Sequence, residues 1–201
     1  RARLNQMLSP KSGRAIQMDS ITMGEVVNGV AAYFNPSNAI SEQYREGLVA
    51  RTAMADYYEN ERVYNNVNTS DVTGWLDTYT IVDGDVDFTV SGFSVAPTAG
   101  MVFTVTGGGT GSTVRVFACN PETKAAYSHA MQFVVTAAGT TSITFQPAIR
   151  LTGARKNVCN SDGTDLTTTG TLILTSMINF VGSISSTYPT PLMYHRDAFT
   201  F

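Results

Sequence analysis

The sequence is short of the residues from which the commonest functional sites are built. Its 201 residues include two cysteines and two histidines, and two cysteines are too few for a disulfide framework. The 13 Lys and Arg residues are scattered, and a net charge of -3 argues against nucleic-acid binding as the main activity. No apolar run approaches the roughly 20 residues of a membrane-spanning helix. We therefore expect neither a specific nucleic-acid site nor a membrane segment.

Two segments resemble ligand-binding loops but lack essential parts. Asp83, Asp85 and Asp87 alternate like calcium ligands, yet Ser94 stands where the bidentate Glu of a calcium loop belongs. We predict a turn followed by a strand with solvent-facing acids. Residues 106–113 are rich in glycine, but the segment has no Lys before its Ser-Thr pair and opens no helix. This segment therefore predicts a hairpin connection rather than a phosphate loop.

The histidines and cysteines have no partners at catalytic or metal-ligand spacing. Neither His129 nor His195 is paired in this way with Cys or a carboxylate, and the His-Arg-Asp at His195 lacks every companion motif of a kinase. Cys119 and Cys159 lie in strand-like segments, so we expect buried or half-buried free thiols. The sequence therefore predicts no catalytic, cofactor-binding or metal site, and we expect the protein not to be an enzyme.

The first third of the chain carries much of the charge: 14 of the 29 charged residues lie at or before Arg62. Residues 21–34 have a helical or mixed pattern, a helix is expected to open near residues 37–41, and the chain is expected to become extended near Tyr57. The predicted apolar face of the second helix consists of Ile40, Tyr44 and Leu48. We expect α+β, mainly antiparallel β.

The region from about residue 72 to 178 is rich in Thr, Val, Gly and Ser, which favours strands joined by turns. The predicted strands are residues 78–81, 88–93, 101–106, 113–119, 131–136, 141–148 and 171–177. Their spacing indicates a small barrel or sandwich. The aromatic residues expected in its core are Trp75, Tyr79, Phe88, Phe103, Phe117, Phe133 and Phe145. Residues 183–201 are predicted to be a linker.

Several segments, in chain order, resemble one protein family. They are residues 40–47 (ISEQYREG), 48–60 (LVARTAMADYYEN), 116–124 (VFACNPETK), 131–137 (MQFVVTA), 143–149 (ITFQPAI) and 192–199 (LMYHRDAF). Together they are similar to the coat proteins of short-tailed bacteriophages, although Pro191 replaces the usual Asn before the last segment. No single segment is specific, whereas their order is.

The resemblance implies the Hong Kong 97 capsid fold with an inserted small β-barrel. On that basis we expect residues 1–70 to be a segment of the axial domain, residues 71–180 the inserted barrel, and residues 181–201 the return into the axial domain. The long spine helix, the N-terminal arm and part of the peripheral domain have no counterpart, so the chain is expected to be a fragment of the coat protein.

The function implied by the resemblance is that of a structural subunit which assembles around five-fold and six-fold axes and encloses the genome. The implied partners are other copies, scaffolding protein and portal protein, and the implied location is the virion, assembled in the host cytoplasm. Candidates for ion pairs between subunits, or for solvated surface charge, are Glu42, Arg45, Glu46, Arg51, Glu59, Glu61 and Arg62. The competing interpretation is a β-rich surface module that binds carbohydrate or a receptor.

Because the spine helix has no counterpart, we expect this chain alone to be largely monomeric in solution. Size-exclusion chromatography tests this expectation. Elution at the monomer volume is predicted, and shell-sized particles formed by the chain alone would refute it.

Overall fold

The chain divides into two units, one formed by Arg1–Asn66 with Tyr188–Phe201 and the other by Val67–Thr187. The computed structural model describes residues 2–30, 48–51, 55–69, 74–76, 81–91, 93, 95–107, 116–166 and 176–199. We call them the first and second units. The unit boundaries lie at residues 67 and 188, and the sequence-based domain boundaries lie after residues 70 and 180.

The described ranges are mainly antiparallel β with few helices. The helical segments are α1 (Ala2–Gln6), α2 (Ser20–Val30) and a 3₁₀ helix (Arg196–Ala198). The strands are β1 (Arg14–Met18), β2 (Leu48–Arg51), β3 (Asp56–Glu59), β4 (Asn65–Val67), β5 (Gly74–Leu76), β6 (Asp87–Ser91), β7 (Val102–Gly107), β8 (Phe117–Cys119), β9 (Ala126–Ala130), β10 (Gln132–Ala138), β11 (Ser142–Gln146), β12 (Val158–Cys159), β13 (Ser176–Phe180), β14 (Thr187–Pro189) and β15 (Leu192–His195).

The first unit contains a four-stranded sheet in the order β15-β1-β3-β2. Strands β1 and β3 are parallel, whereas β15 and β2 run antiparallel to their neighbours. Helix α2 covers one face of this sheet, where Met18 of β1 and Met23 of α2 are buried together. Asp19 caps the helix, because its Oδ2 accepts a hydrogen bond from the Thr22 N–H at 3.4 Å. Successive side chains of a strand point to opposite faces of the sheet, so every second residue of β1 lies on the face that α2 does not cover.

The second unit contains a closed barrel in the order β10-β11-β6-β5-β13-β7, and its strand pairs are antiparallel. Four fully buried rings meet inside it: Phe88, Phe103, Phe133 and Phe145. Their centroids lie 4.5 to 5.7 Å apart, a range in which tilted and edge-to-face rings attract each other. The core is therefore aromatic at its centre.

Strand β10 shows why the barrel forms. The burial of its side chains alternates: Phe133 and Val135 are buried, while Gln132, Val134 and Thr136 are exposed. A period of two places every second side chain on the same face, and inward apolar residues on each strand give the barrel its core. Strand β10 pairs with β11 through a register shift between Val135 and Ala137, the position of a bulge.

A smaller three-stranded sheet, β12-β8-β9, adds to the same hydrophobic core. Val116, Ala118 and Val158 are buried and belong to one cluster with the barrel phenylalanines. Strands β4 and β14, where the chain enters and leaves the second unit, pair as a two-stranded sheet.

Most strand predictions that fall on described residues are confirmed. Strands β6, β7, β10 and β11 overlap the predicted segments 88–93, 101–106, 131–136 and 141–148, and the chain is extended at Tyr57 as expected. Helix α2 confirms the helical alternative for residues 21–30. The predicted segment 78–81 lies outside the described residues except for Ile81, as do residues 113–115 and 171–175 of two other predicted strands.

Four predictions need correction or lie outside the described part. Leu48 is in a strand rather than on a helix face, and the rest of that predicted helix, including Ile40 and Tyr44, lies outside the described residues. Phe117 is half-buried, not in the core. Two other aromatic residues expected in the core lie outside the description: the side chain of Trp75 and the whole of Tyr79. The segment predicted as a linker contains β15, which pairs with β1 because Leu192 and Tyr194 alternate on one face.

Truncation of one core ring measures the contribution of the aromatic cluster. Phe133→Ala is expected to lower the free energy of unfolding by about 3–5 kcal/mol, because it removes a fully buried ring and leaves a cavity. The neighbouring Val134→Ala is the matched control and is expected to change it by less than about 0.5 kcal/mol, since Val134 is 41% exposed. Chemical denaturation measures both, and equal losses would contradict the assignment of the core.

Candidate functional site

An open groove of about 570 Å³ lies on the face of the first unit's sheet that α2 leaves uncovered. It is lined by Ala15, Gln17, Tyr58, Leu192, Tyr194, Arg196 and Phe199. The strand registers place these residues side by side, because Ala15 pairs with Tyr194 and Gln17 pairs with both Leu192 and Tyr58. Three strands far apart in sequence therefore form one continuous surface.

The groove is largely apolar and open to solvent. Leu192 is 48% exposed and Phe199 is 53% exposed, although both are large hydrophobic residues. The rings of Tyr194 and Phe199 meet edge to face, with centroids 5.3 Å apart. Exposed apolar side chains that lie side by side in a groove offer contact area to another molecule.

The turn after β15 brings Phe199 back to the groove. His195 caps the 3₁₀ helix, because its Nδ1 accepts a hydrogen bond from the Asp197 N–H at 3.2 Å. The helix spans Arg196–Ala198 and reverses the chain, so that Phe199 meets Tyr194. The His-Arg-Asp sequence therefore forms a capped turn here.

The charges at the groove form an ion pair. The guanidinium Nη2 of Arg196 donates to the carboxylate Oδ2 of Asp56, which lies opposite Ala15 on β3. The pair joins residues 140 positions apart in sequence. Because both side chains are partly exposed, the ion pair contributes about 0–1 kcal/mol to the free energy of unfolding. Its main effect is to hold Arg196 at the end of the groove. The lining therefore presents aromatic and aliphatic side chains, one amide and one ion-paired guanidinium to a molecule that occupies the groove.

Two of the three aspartates of the calcium-like segment form turn and loop contacts. Asp83 accepts from the Leu151 N–H at 2.8 Å and from Arg150 Nη1 at 3.2 Å, and Asp85 accepts from the Val82 N–H at 2.7 Å. The predicted turn followed by a strand is confirmed, since β6 begins at Asp87. In the described ranges, no group of three His, Cys, Asp or Glu residues is arranged to hold a metal ion.

Both cysteines are buried and free, as predicted. They lie on the neighbouring strands β8 and β12. Burial, together with a hydrogen bond to Cys159, raises the pKa of the Cys119 thiol to about 12. A buried thiol with a raised pKa stays protonated at neutral pH and is a poor nucleophile.

The other candidates have structural contacts or fall outside the description. His129 stacks on Tyr127 with centroids 5.4 Å apart, and Glu61 Oε1 accepts from the Ser20 N–H at the start of α2. Glu59 and Arg62 are exposed. The glycine-rich loop from residue 108 and three of the ion-pair candidates (Glu42, Arg45 and Glu46) lie outside the described residues, and the side chain of Arg51 is not described.

The Asn-Pro-Glu-Thr-Lys segment builds a tight turn between β8 and β9. Asn120 Oδ1 accepts from the N–H groups of Glu122 at 2.8 Å and Thr123 at 3.0 Å. Lys124 has a left-handed backbone, with φ of +61°, and its Nζ donates to the carbonyls of Pro121 and Ala154. This motif of the resemblance therefore joins the turn to a neighbouring loop.

A second lysine also secures that loop. Lys156 is buried, and its Nζ donates to the Gly163 carbonyl at 3.0 Å and pairs with Asp165 Oδ1 at 2.6 Å. The sequence did not predict this pair, nor those of Arg150 with Asp83 and Arg196 with Asp56, because ion pairs between distant residues leave no local pattern.

Comparison with known protein families finds no family model that matches this chain. Comparison with curated proteins finds no significant match. In the part of the chain that the structure describes, no helix is long and apolar enough to cross a membrane. The function is therefore inferred from the sequence motifs and the geometry above.

The bonds at Asp83 predict a pH dependence of stability. The Leu151 N–H and the Arg150 guanidinium hold the pKa of Asp83 below its ordinary value. Because the folded-state pKa lies below the unfolded-state one, the carboxylate stabilises the fold above the unfolded-state pKa, and this contribution is lost as pH falls through the folded-state pKa.

Asp83→Asn is therefore expected to show a shallower loss of stability than the wild type between about pH 5 and pH 2, measured by thermal unfolding. Glu122→Gln, which removes one exposed negative charge elsewhere, is the control. Parallel curves for Asp83→Asn and the wild type would contradict the assignment.

Proposed function

We propose that the chain is a structural subunit of a bacteriophage icosahedral shell. The observation that carries the proposal is where the phage-like segments fall in the two units. Residues 48–60 and 192–199 supply β2, β3 and β15 of one sheet, although more than a hundred positions separate them. The segments 116–124, 131–137 and 143–149 lie in the second unit. A chain that leaves one unit, builds a barrel and returns is the arrangement expected for a capsid subunit with an inserted barrel.

On this proposal, residues 1–70 and 181–201 belong to the axial part of a Hong Kong 97-type subunit, and residues 71–180 are the inserted domain. A shell subunit acts by burying surface against neighbours arranged around symmetry axes, so its function is spread over interface area. The open groove supports this mode of action, because its large apolar side chains are exposed on the surface of a sheet.

The inserted barrel would act as a stabilising body within the subunit. Its aromatic core is complete within the second unit, since the four central rings are fully buried there. A domain with its own core can fold in one cooperative step. Once folded, it can hold the two chain segments that lead out of it in a fixed register with each other. The proposed partners are other copies of the chain, scaffolding protein and portal protein, and the proposed location is the virion after assembly in the host cytoplasm.

One observation favours a second function, a β-rich surface module that binds carbohydrate or a receptor. The groove contains the rings of Tyr58, Tyr194 and Phe199 beside the Gln17 amide, and aromatic rings with a few polar groups are typical of ligand sites. Such a module would bind a glycan as an isolated chain and would not assemble.

Expression of the coding gene together with the neighbouring phage genes tests the two functions. Electron microscopy is expected to show closed shells that contain the protein, because a coat subunit assembles when its scaffolding partner is present. Monodisperse monomers under all conditions would overturn the shell function, and monomers that bind a glycan array would support the surface module.

A further inference from the structure

The first unit carries a second exposed apolar feature besides the groove. Met7 and Leu8 follow α1, and their side chains are 52% and 53% exposed. We call this pair the knob. Two adjacent large hydrophobic side chains that are each about half exposed lack part of the stabilisation that full burial would bring.

The knob is held in place rather than left as a frayed end. Arg14 is 3% exposed, and its guanidinium donates to the Pro10 carbonyl at 2.6 Å, to Asn5 Oδ1 at 2.7 Å and to the Ser9 carbonyl at 2.7 Å. Leu8 itself has a left-handed backbone, with φ of +58°. This conformation ends α1, because the Leu8 N–H donates to the Asn5 carbonyl and the Ser9 N–H to the Leu4 carbonyl, so the position of Leu8 is fixed by backbone hydrogen bonds.

The knob and the groove are separate surfaces, because Met7 and Leu8 are not among the residues that line the groove and each is about half exposed. Arg14 has the same strand parity as Ile16 and Met18, which face α2, and it binds the loop that carries the knob. Ala15 and Gln17 have the other parity and line the groove. The knob of one molecule therefore does not fill the groove of the same molecule.

The charges near the two features are complementary. The knob is flanked by the exposed cations Arg3 and Lys11. At the groove, Asp197 lies between the lining residues Arg196 and Phe199, and its side chain is 89% exposed. Opposite charges around an apolar contact favour one orientation of the partner.

We propose that the knob of one copy inserts into the groove of a second copy. This inference rests on the proposed function and names one contact through which the subunits would tile. Because knob and groove are different surfaces, the contact is head to tail, and repeated head-to-tail contacts close into rings or continue as open chains. Rings of this kind are what five-fold and six-fold axes require.

Cross-linking of two single-cysteine variants tests the contact. Met7→Cys and Leu192→Cys are prepared separately, one of them isotopically labelled, and are treated with a short bismaleimide alone and as a mixture. The native Cys119 and Cys159 are buried and react poorly. Val82→Cys, at a residue 56% exposed in the second unit, replaces Leu192→Cys in the control mixture.

The mixture of Met7→Cys and Leu192→Cys is expected to give severalfold more cross-linked dimer than either variant alone or the control mixture, and the added dimer is expected to pair a labelled with an unlabelled chain. The yield is expected to fall at high salt, which screens the exposed charges. Equal yields in the two mixtures would overturn the proposal, and so would an equal yield from Leu192→Cys alone, which would mean that groove meets groove. Each variant is first checked for a wild-type unfolding transition.

The outcome separates this contact from the shell function. Shells in the electron microscope without excess cross-linking would remove the contact and leave the function. Excess cross-linking without shells would leave the contact and remove the function.

Discussion

The closure of six antiparallel strands around four phenylalanine rings is the constraint on which most of the described structure depends. Phe88, Phe103, Phe133 and Phe145 come from four different strands, and each ring touches at least one of the others. Closure of the sheet into a barrel removes its exposed strand edges, and in a barrel of only six strands the inward side chains fill the interior. The small β12-β8-β9 sheet depends on the same core, because Val116, Ala118 and Val158 extend it.

The sequence predicted the strands that are rich in β-branched and aromatic residues. Residues 131–136 contain Phe, Val and Thr, so the strand was evident, and Phe133 was expected in the core. Strand β9 was missed because Ala-Tyr-Ser-His-Ala has no β-branched residue. Its pairing with β8 stabilises the extended conformation that these residue types do not favour by themselves. Leu48 was assigned to a helix because its spacing from Ile40 and Tyr44 fits a helical period, whereas its pairing with Tyr58 places it in a sheet.

The groove could not have been predicted as a site, although its residues were visible in the sequence. Tyr58 and Tyr194 lie more than 130 positions apart, and only the strand register brings both beside β1. The buried Arg14 is a similar case, because its partners are two backbone carbonyls and one amide oxygen, which leave no motif. The motif that looked most like chemistry, His-Arg-Asp, instead caps a turn and so positions Phe199 for the groove.

Two of the exposed apolar surfaces among the described residues of the first unit are held by polar contacts, the groove by the pair of Arg196 and Asp56 and the knob by Arg14. Quantitative mass spectrometry of purified phage particles tests the shell function most directly. The predicted result is that peptides of this chain exceed those of every other virion protein in molar amount, as expected for the subunit that tiles the shell. Purified infectious particles without these peptides, or with them only in trace amounts, would contradict it.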